Sequence, residues 1–191
     1  MTRGTLATFA ALGVATLLVV LVLDLGHAVR KVGLPLSNTD VIRRQATQKH
    51  LDPALIAAVI YAETKFDPRP STAGAEGLMQ ILPDTAYFIA HLSGGVGFTA
   101  GDLATPSINV AYGSYYLRYL LDRYHGSELL ALAAYNGGLS NVDSWVAQAG
   151  AAGRRMTAAE IPFAETRAYV QRVLAAQQAY RAAYPRELGL Q

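Results

Sequence analysis

The sequence contains no cysteine. Disulfides, thiol nucleophiles, cysteine-bound metals and a lipid-modified cysteine anchor are therefore excluded together. Charged residues make up only 16% of the chain and form no dense lysine or arginine run, so nucleic-acid binding has no support. His27, His50, His91 and His125 lack metal-ligand spacing, and no Ser-His-Asp arrangement emerges. No cofactor is expected. Long alternation of β-branched and polar residues is also missing, which leaves helix as the dominant expectation.

What is present begins with an apolar run. Residues 6–23 read "LATFAALGVATLLVVLVL" without a charge, close to the roughly 20 residues that span a bilayer. Arg3 precedes it, and Asp24, Arg30 and Lys31 follow. Residues 1–30 are expected to act as an uncleaved signal anchor. A cleaved signal peptide, cut near Gly26-His27-Ala28, is the alternative. Either way the remainder is expected outside the cytoplasm. Residues 31–36, with Gly33 and Pro35, read as a linker, and 37–185 as one all-α domain.

Within that domain, helix is expected over 39–50, 52–64, 83–92, 107–125, 128–135 and 163–180, with a short helix near Trp145. Asp52-Pro53 is a cap residue followed by proline at the first helical position. Residues 93–106 and 147–162 read as loops, and Asn136-Gly137 as a left-handed helix end. Tyr112, Tyr115, Tyr116 and Tyr119 crowd one helix and read as core. Trp145 could pack locally or line a cleft.

One carboxyl breaks the pattern. Ile56, Val59 and Ile60 lie at helical spacing, and the next position of that stripe is Glu63. A desolvated carboxyl favours its protonated form and can then donate a proton to a leaving oxygen. A glutamate that ends a helix and turns to solvent, or pairs with arginine, is the simpler account of the spacing alone. Gln80, Tyr135 and Asn136 are polar groups beside apolar helix or loop segments.

The blocks "AVIYAETKFDP", "STAGAEGLMQILPDTA", "PSINVAYGSYYL", "LALAAYNGG" and "IPFAETRAYV", in that order, resemble the lytic transglycosylases of the soluble-lytic-transglycosylase catalytic-domain family. The resemblance runs from Asp52 to Val173. It implies a lysozyme-like α-helical fold with a saccharide cleft, and cleavage of the N-acetylmuramic acid (MurNAc) β-1,4 N-acetylglucosamine (GlcNAc) bond in peptidoglycan glycan strands. It implies Glu63 as the single catalytic acid, then base. Ser71, Gln80, Tyr135 and Asn136 match cleft-lining positions, and Glu165 and Tyr169 match the closing block that flanks the glycan or supports the acid. Thr64 for serine, Leu82 for methionine and "YNGGLS" for "YNAGPG" are mild departures. A goose-type-lysozyme-like hydrolase on the same fold, and a non-catalytic wall-binding scaffold in an envelope-spanning assembly, are the competing expectations. The anchored reading places the domain in the periplasm at the inner membrane.

Overall fold

The computed structural model describes residues 33–95 and 97–190. The chain divides into two compact units, Met1–Pro35 and Leu36–Gln191. The expected spanning segment, 6–23, lies outside the described residues. Among the described residues, no helix is long and apolar enough to cross a membrane.

The second unit is helical, as expected, with no strand among the described residues beyond one isolated bridge, Glu76 to Ile81. Helices α1 (Thr39–Lys49) and α2 (Pro53–Thr64) are followed by α3 (Pro83–Ser93) and a 3-10 turn, Ala100–Ala104. Then come α4 (Pro106–Arg123), α5 (Glu128–Gly137), α6 (Leu139–Ala151), a second 3-10 turn at Ala158–Glu160, and α7 (Ala164–Ala183).

Helix α2 forms the centre. Pro53 opens it, and the Asp52 carboxylate accepts the Ala54 N–H at 3.0 Å, which satisfies an otherwise orphaned donor. Every residue from Ala54 to Ile60 is buried. The apolar stripe inferred from spacing is therefore a helix buried on all sides, and only its last turn reaches the surface. Truncating one of these aliphatic side chains, Ile60→Ala for example, would cost about 2–5 kcal/mol.

Helix α7 runs antiparallel to α2. At one end Gln177 Nε2 donates to Asp52 Oδ2 at 2.7 Å and Arg181 pairs with the same carboxylate at 2.8 Å. At the other end Tyr169 reaches Glu63. The direction of α7 thus follows from contacts at both ends of the buried helix.

Four expectations change. Helix α6 is a full helix of 13 residues, so 147–151 are helical rather than loop. Asn136 and Gly137 continue α5, and Gly138, at φ +88°, makes the turn. Gly137 serves close packing instead: a Cβ there would lie 2.8 Å from Thr166 Oγ1. The 93–106 loop contains the first 3-10 turn, closed by Thr99 and Asp102 bonding each other's backbone and side chains. Finally, the four tyrosines of α4 are half-buried, not core. Tyr112 stacks on Phe98 at 4.6 Å, Lys49 lies over Tyr115, and Tyr116 leans on Tyr135 at 5.5 Å. Sidedness explains this: residues 112, 115, 116 and 119 share one helix face, while Val110, Leu117 and Leu120 take the buried one. Trp145 packs edge-on against Phe163 at 4.9 Å.

Candidate active site

Glu63 sits where α2 emerges from the core. Lys65 ends the helix in the left-handed conformation, and Phe66 repeats it at φ +65°. Two successive non-glycine residues in that region turn the chain sharply, and Pro68 and Pro70 prevent any return to helix. The reversal leaves a pocket of about 330 Å³ lined by Ala62, Glu63, Thr64, Lys65, Asp67, Arg69 and Gln80.

Burial raises the Glu63 carboxyl from 4.5 to about 7; the Tyr169 hydrogen bond and the Arg172 charge oppose that rise. The carboxyl also occupies the last turn of α2, the negative end of the helix dipole, which disfavours a carboxylate further. Tyr169, itself buried, donates its hydroxyl to Glu63 Oε1 at 2.8 Å. Burial first, and then the Glu63 charge, push the Tyr169 hydroxyl well above its ordinary value, so it remains a donor. A proton-holding carboxyl with one oxygen fixed and an open pocket before it can act as general acid and, once ionised, as general base.

The facing wall is a tight reversal, Glu76 to Ile81, closed by two backbone hydrogen bonds of 3.0 Å. Gly77 at φ +72° and Gln80 at φ +47° permit it. The wall is fastened from three directions. Asn109, fully buried on α4, accepts the Met79 N–H and donates to the Glu76 carbonyl, both at 2.8 Å. Tyr135 donates to the Met79 carbonyl at 2.9 Å. Thr64 donates to the Leu78 carbonyl at 2.9 Å, tying the wall to the residue next to Glu63. Met79 packs so closely on Gly113 that a Cβ there would lie 2.4 Å from its sulfur.

The residues named by resemblance fall into distinct places. Gln80 lines the pocket, and its amide donates to the carbonyls of Gly77 at 2.9 Å and Arg69 at 3.1 Å. Tyr135 braces the wall and lies within electrostatic reach of Glu63. Asn136 is exposed and accepts from Thr166 at 2.8 Å. The Ser71 hydroxyl accepts from the Ala75 N–H at 2.9 Å, shaping the loop ahead of the wall. Glu165 is exposed in the first turn of α7, outside the pocket lining.

Asp67 also lines the pocket and pairs with Arg69 at 2.6 Å. Asn109 and Arg172 escaped the sequence reading. For Asn109 a signal existed: it shares a helix face with Gly113 and Leu117, so an amide occupies a position that packing would fill with a hydrophobe. For Arg172 there was none, because arginine on an exposed helix face is ordinary.

Comparison with known proteins follows the same lines. The family model described as "Transglycosylase SLT domain" matches residues 40–157, more than half the chain. The model described as "Soluble lytic transglycosylase helical domain" matches residues 160–187. The soluble lytic murein transglycosylase of Escherichia coli is 34% identical over 152 residues, 77% of this chain and 23% of that protein. The transglycosylase of Enterobacteria phage PRD1 is 37% identical over 110 residues, 57% of this chain and 37% of that one.

Among solved structures, the 70 kDa soluble lytic transglycosylase of Escherichia coli superposes with a TM-score of 0.73 at 32% identity, over 80% of this chain and 25% of that chain. An inactive Glu-to-Gln mutant of the Pseudomonas aeruginosa lytic transglycosylase Slt gives 0.71 at 29% identity, over 79% and 25%. The chain spans about a quarter of the length of the Escherichia coli relative it matches. On its sequence, its helical architecture and the match of the family model, this chain belongs to the transglycosylase SLT domain family.

Proposed function

We propose that the chain is a peptidoglycan lytic transglycosylase that cleaves the MurNAc-β-1,4-GlcNAc bond and leaves 1,6-anhydro-MurNAc ends. The observation that carries this reading is Glu63, a carboxyl raised to about 7, held by Tyr169 and open to a pocket. Protonated Glu63 gives its proton to the glycosidic oxygen as the bond to the anomeric carbon breaks. The substrate's acetamido group stabilises the electron-poor carbon. Ionised Glu63 then takes the proton of the muramoyl 6-hydroxyl, whose oxygen closes on that carbon. No water is consumed, and the carboxyl ends protonated, as it began. A carboxyl near 7 has both forms populated at neutral pH, which a group serving in both roles needs. The pattern is a substrate-assisted departure from the two-carboxylate scheme. Gln80 and Tyr135 act on the pocket wall; Ser71, Asn136 and Glu165 are assigned to glycan contacts by resemblance.

A hydrolytic reading has one observation in its favour: Asp67 lines the same pocket and could direct a water. Digesting purified peptidoglycan with the full chain, beside Glu63→Gln, separates the two. Products lighter than their reducing counterparts by one water, absent with the mutant, would support the proposal. Reducing ends would assign the chain to hydrolysis, and no release by folded protein would leave a wall-binding role. The proposal includes a periplasmic domain (residues 37–185) anchored at the inner membrane through 6–23. Recovery of the full chain in the soluble fraction after export would overturn that anchoring.

A further inference from the structure

Arg172 presents a contradiction. It lies one turn beyond Tyr169 on α7, exposed to solvent, with its guanidinium 5.7 Å from the centre of the Tyr169 ring. Tyr169 in turn holds Glu63. A cation so placed favours the ionised carboxyl and therefore works against the protonated acid. Its presence is not explained by pairing inside the fold. The arginines at 43, 69, 118, 123, 154 and 181 each pair with an aspartate or glutamate; Arg172, like Arg44, Arg155, Arg167 and Arg186, makes no ion pair among the described residues, and of these five it alone is the cation acting on the Glu63 carboxyl.

The stack on Tyr169 orients the planar guanidinium and leaves its N–H donors free to meet an anion. At the pocket rim Arg69 is committed to Asp67, and Lys65 adds an exposed positive charge. Lys65 in the pocket lining, and Arg172 behind the Tyr169 ring that holds Glu63, are thus cations near the carboxyl with no ion pair among the described residues. The substrate proposed above carries carboxylates near its muramoyl ring, on the lactyl ether where the stem is absent and on the stem peptide where it is present.

We propose that Arg172 is a specificity-determining residue that binds a carboxylate on the muramoyl substituent, a role that rests on the peptidoglycan reading. Filling this position also removes the opposition to the acid. A bound carboxylate neutralises the guanidinium, so Glu63 holds its proton more tightly when the correct substrate is in place. A neutral GlcNAc oligomer would occupy the pocket without that effect.

The test measures affinity by calorimetry, with ligands that lack the scissile bond, so turnover does not enter. The full chain, Arg172→Gln and Arg172→Lys are titrated with GlcNAc-β-1,4-MurNAc bearing a free lactyl carboxylate, the same disaccharide bearing a stem peptide, and the GlcNAc disaccharide. Arg172→Gln should lose about fivefold or more on a carboxylate ligand and nothing on the neutral one. Arg172→Lys should recover part of the loss. Loss on the lactyl ligand alone identifies that carboxylate as the partner, and loss on the stem-bearing ligand alone identifies the stem. Equal loss on all three, no loss on any, or no measurable binding of either carboxylate ligand to the parent overturns the assignment. The peptidoglycan digest, scored on anhydro ends, reports separately on the reaction.

Discussion

Replacing Glu63 with glutamine should make the folded protein more stable at alkaline pH and leave it unchanged in acid. The size follows from the site. The Glu63 carboxyl titrates near 4.5 when unfolded and at about 7 in the fold. Its pKa is raised, so the folded state binds the proton more tightly. The stability this gives is fully present below 4.5 and is lost as the pH rises from there through about 7. The shift spans about 2.5 units, and each unit corresponds to about 1.36 kcal/mol, so the ionised carboxyl costs the fold about 3 kcal/mol above pH 8.

Glutamine carries no charge, and its amide oxygen can still accept from Tyr169. The mutant should therefore be about 3 kcal/mol more stable than the parent at pH 8.5, and equal to it near pH 4. In a unit of this size that is a rise in Tm of roughly 6–12 °C. Denaturation of parent and mutant side by side from pH 4 to pH 9 measures the difference, and every other titrating group cancels. A difference that stays flat with pH, or one that appears in acid and vanishes in base, would refute the account of Glu63 as a carboxyl held in its proton-bearing form.

Further outcomes concern the surrounding structure. Tyr169→Phe removes a hydrogen bond that favours the ionised carboxyl, so the alkaline limb of kcat/KM should move up by roughly one pH unit; a downward move would contradict the geometry. Asn109→Ala orphans the Met79 N–H and removes one of the two donors to the Glu76 carbonyl, which keeps the Ile81 N–H, and should cost about 1–3 kcal/mol in urea denaturation. Gly77→Ala places a Cβ 2.2 Å from Asn109 Nδ2 and 2.5 Å from the Leu103 carbonyl, at positive φ, and should abolish peptidoglycan digestion even where some fold survives by circular dichroism. Gly113→Ala should displace Met79 and cost about 1–3 kcal/mol, read from the thermal midpoint.

The sequence determined the helical class, the capped start of α2, its stop before Pro68, and the singular carboxyl at residue 63. Those are local properties: caps, prolines and spacing act within a few residues of themselves. The ordered blocks named the family. Sequence also pointed to Gln80 and Tyr135, because a polar side chain beside apolar neighbours is visible without coordinates. It misread the α4 tyrosines and the Asn136-Gly137 pair. A ring on a helix can face core or solvent, and a glycine can serve a turn or a close contact, with the same neighbours in the chain.

Only the tertiary structure decided what holds a proton on Glu63. Its protonation depends on burial where α2 leaves the core, on a tyrosine 106 residues further along the chain, and on an arginine beside that tyrosine. The wall opposite depends on Asn109, 30 residues from the Met79 N–H it accepts. Desolvation and long-range hydrogen bonds arise when distant segments meet, so they exist only once α2, α4, α5 and α7 have packed.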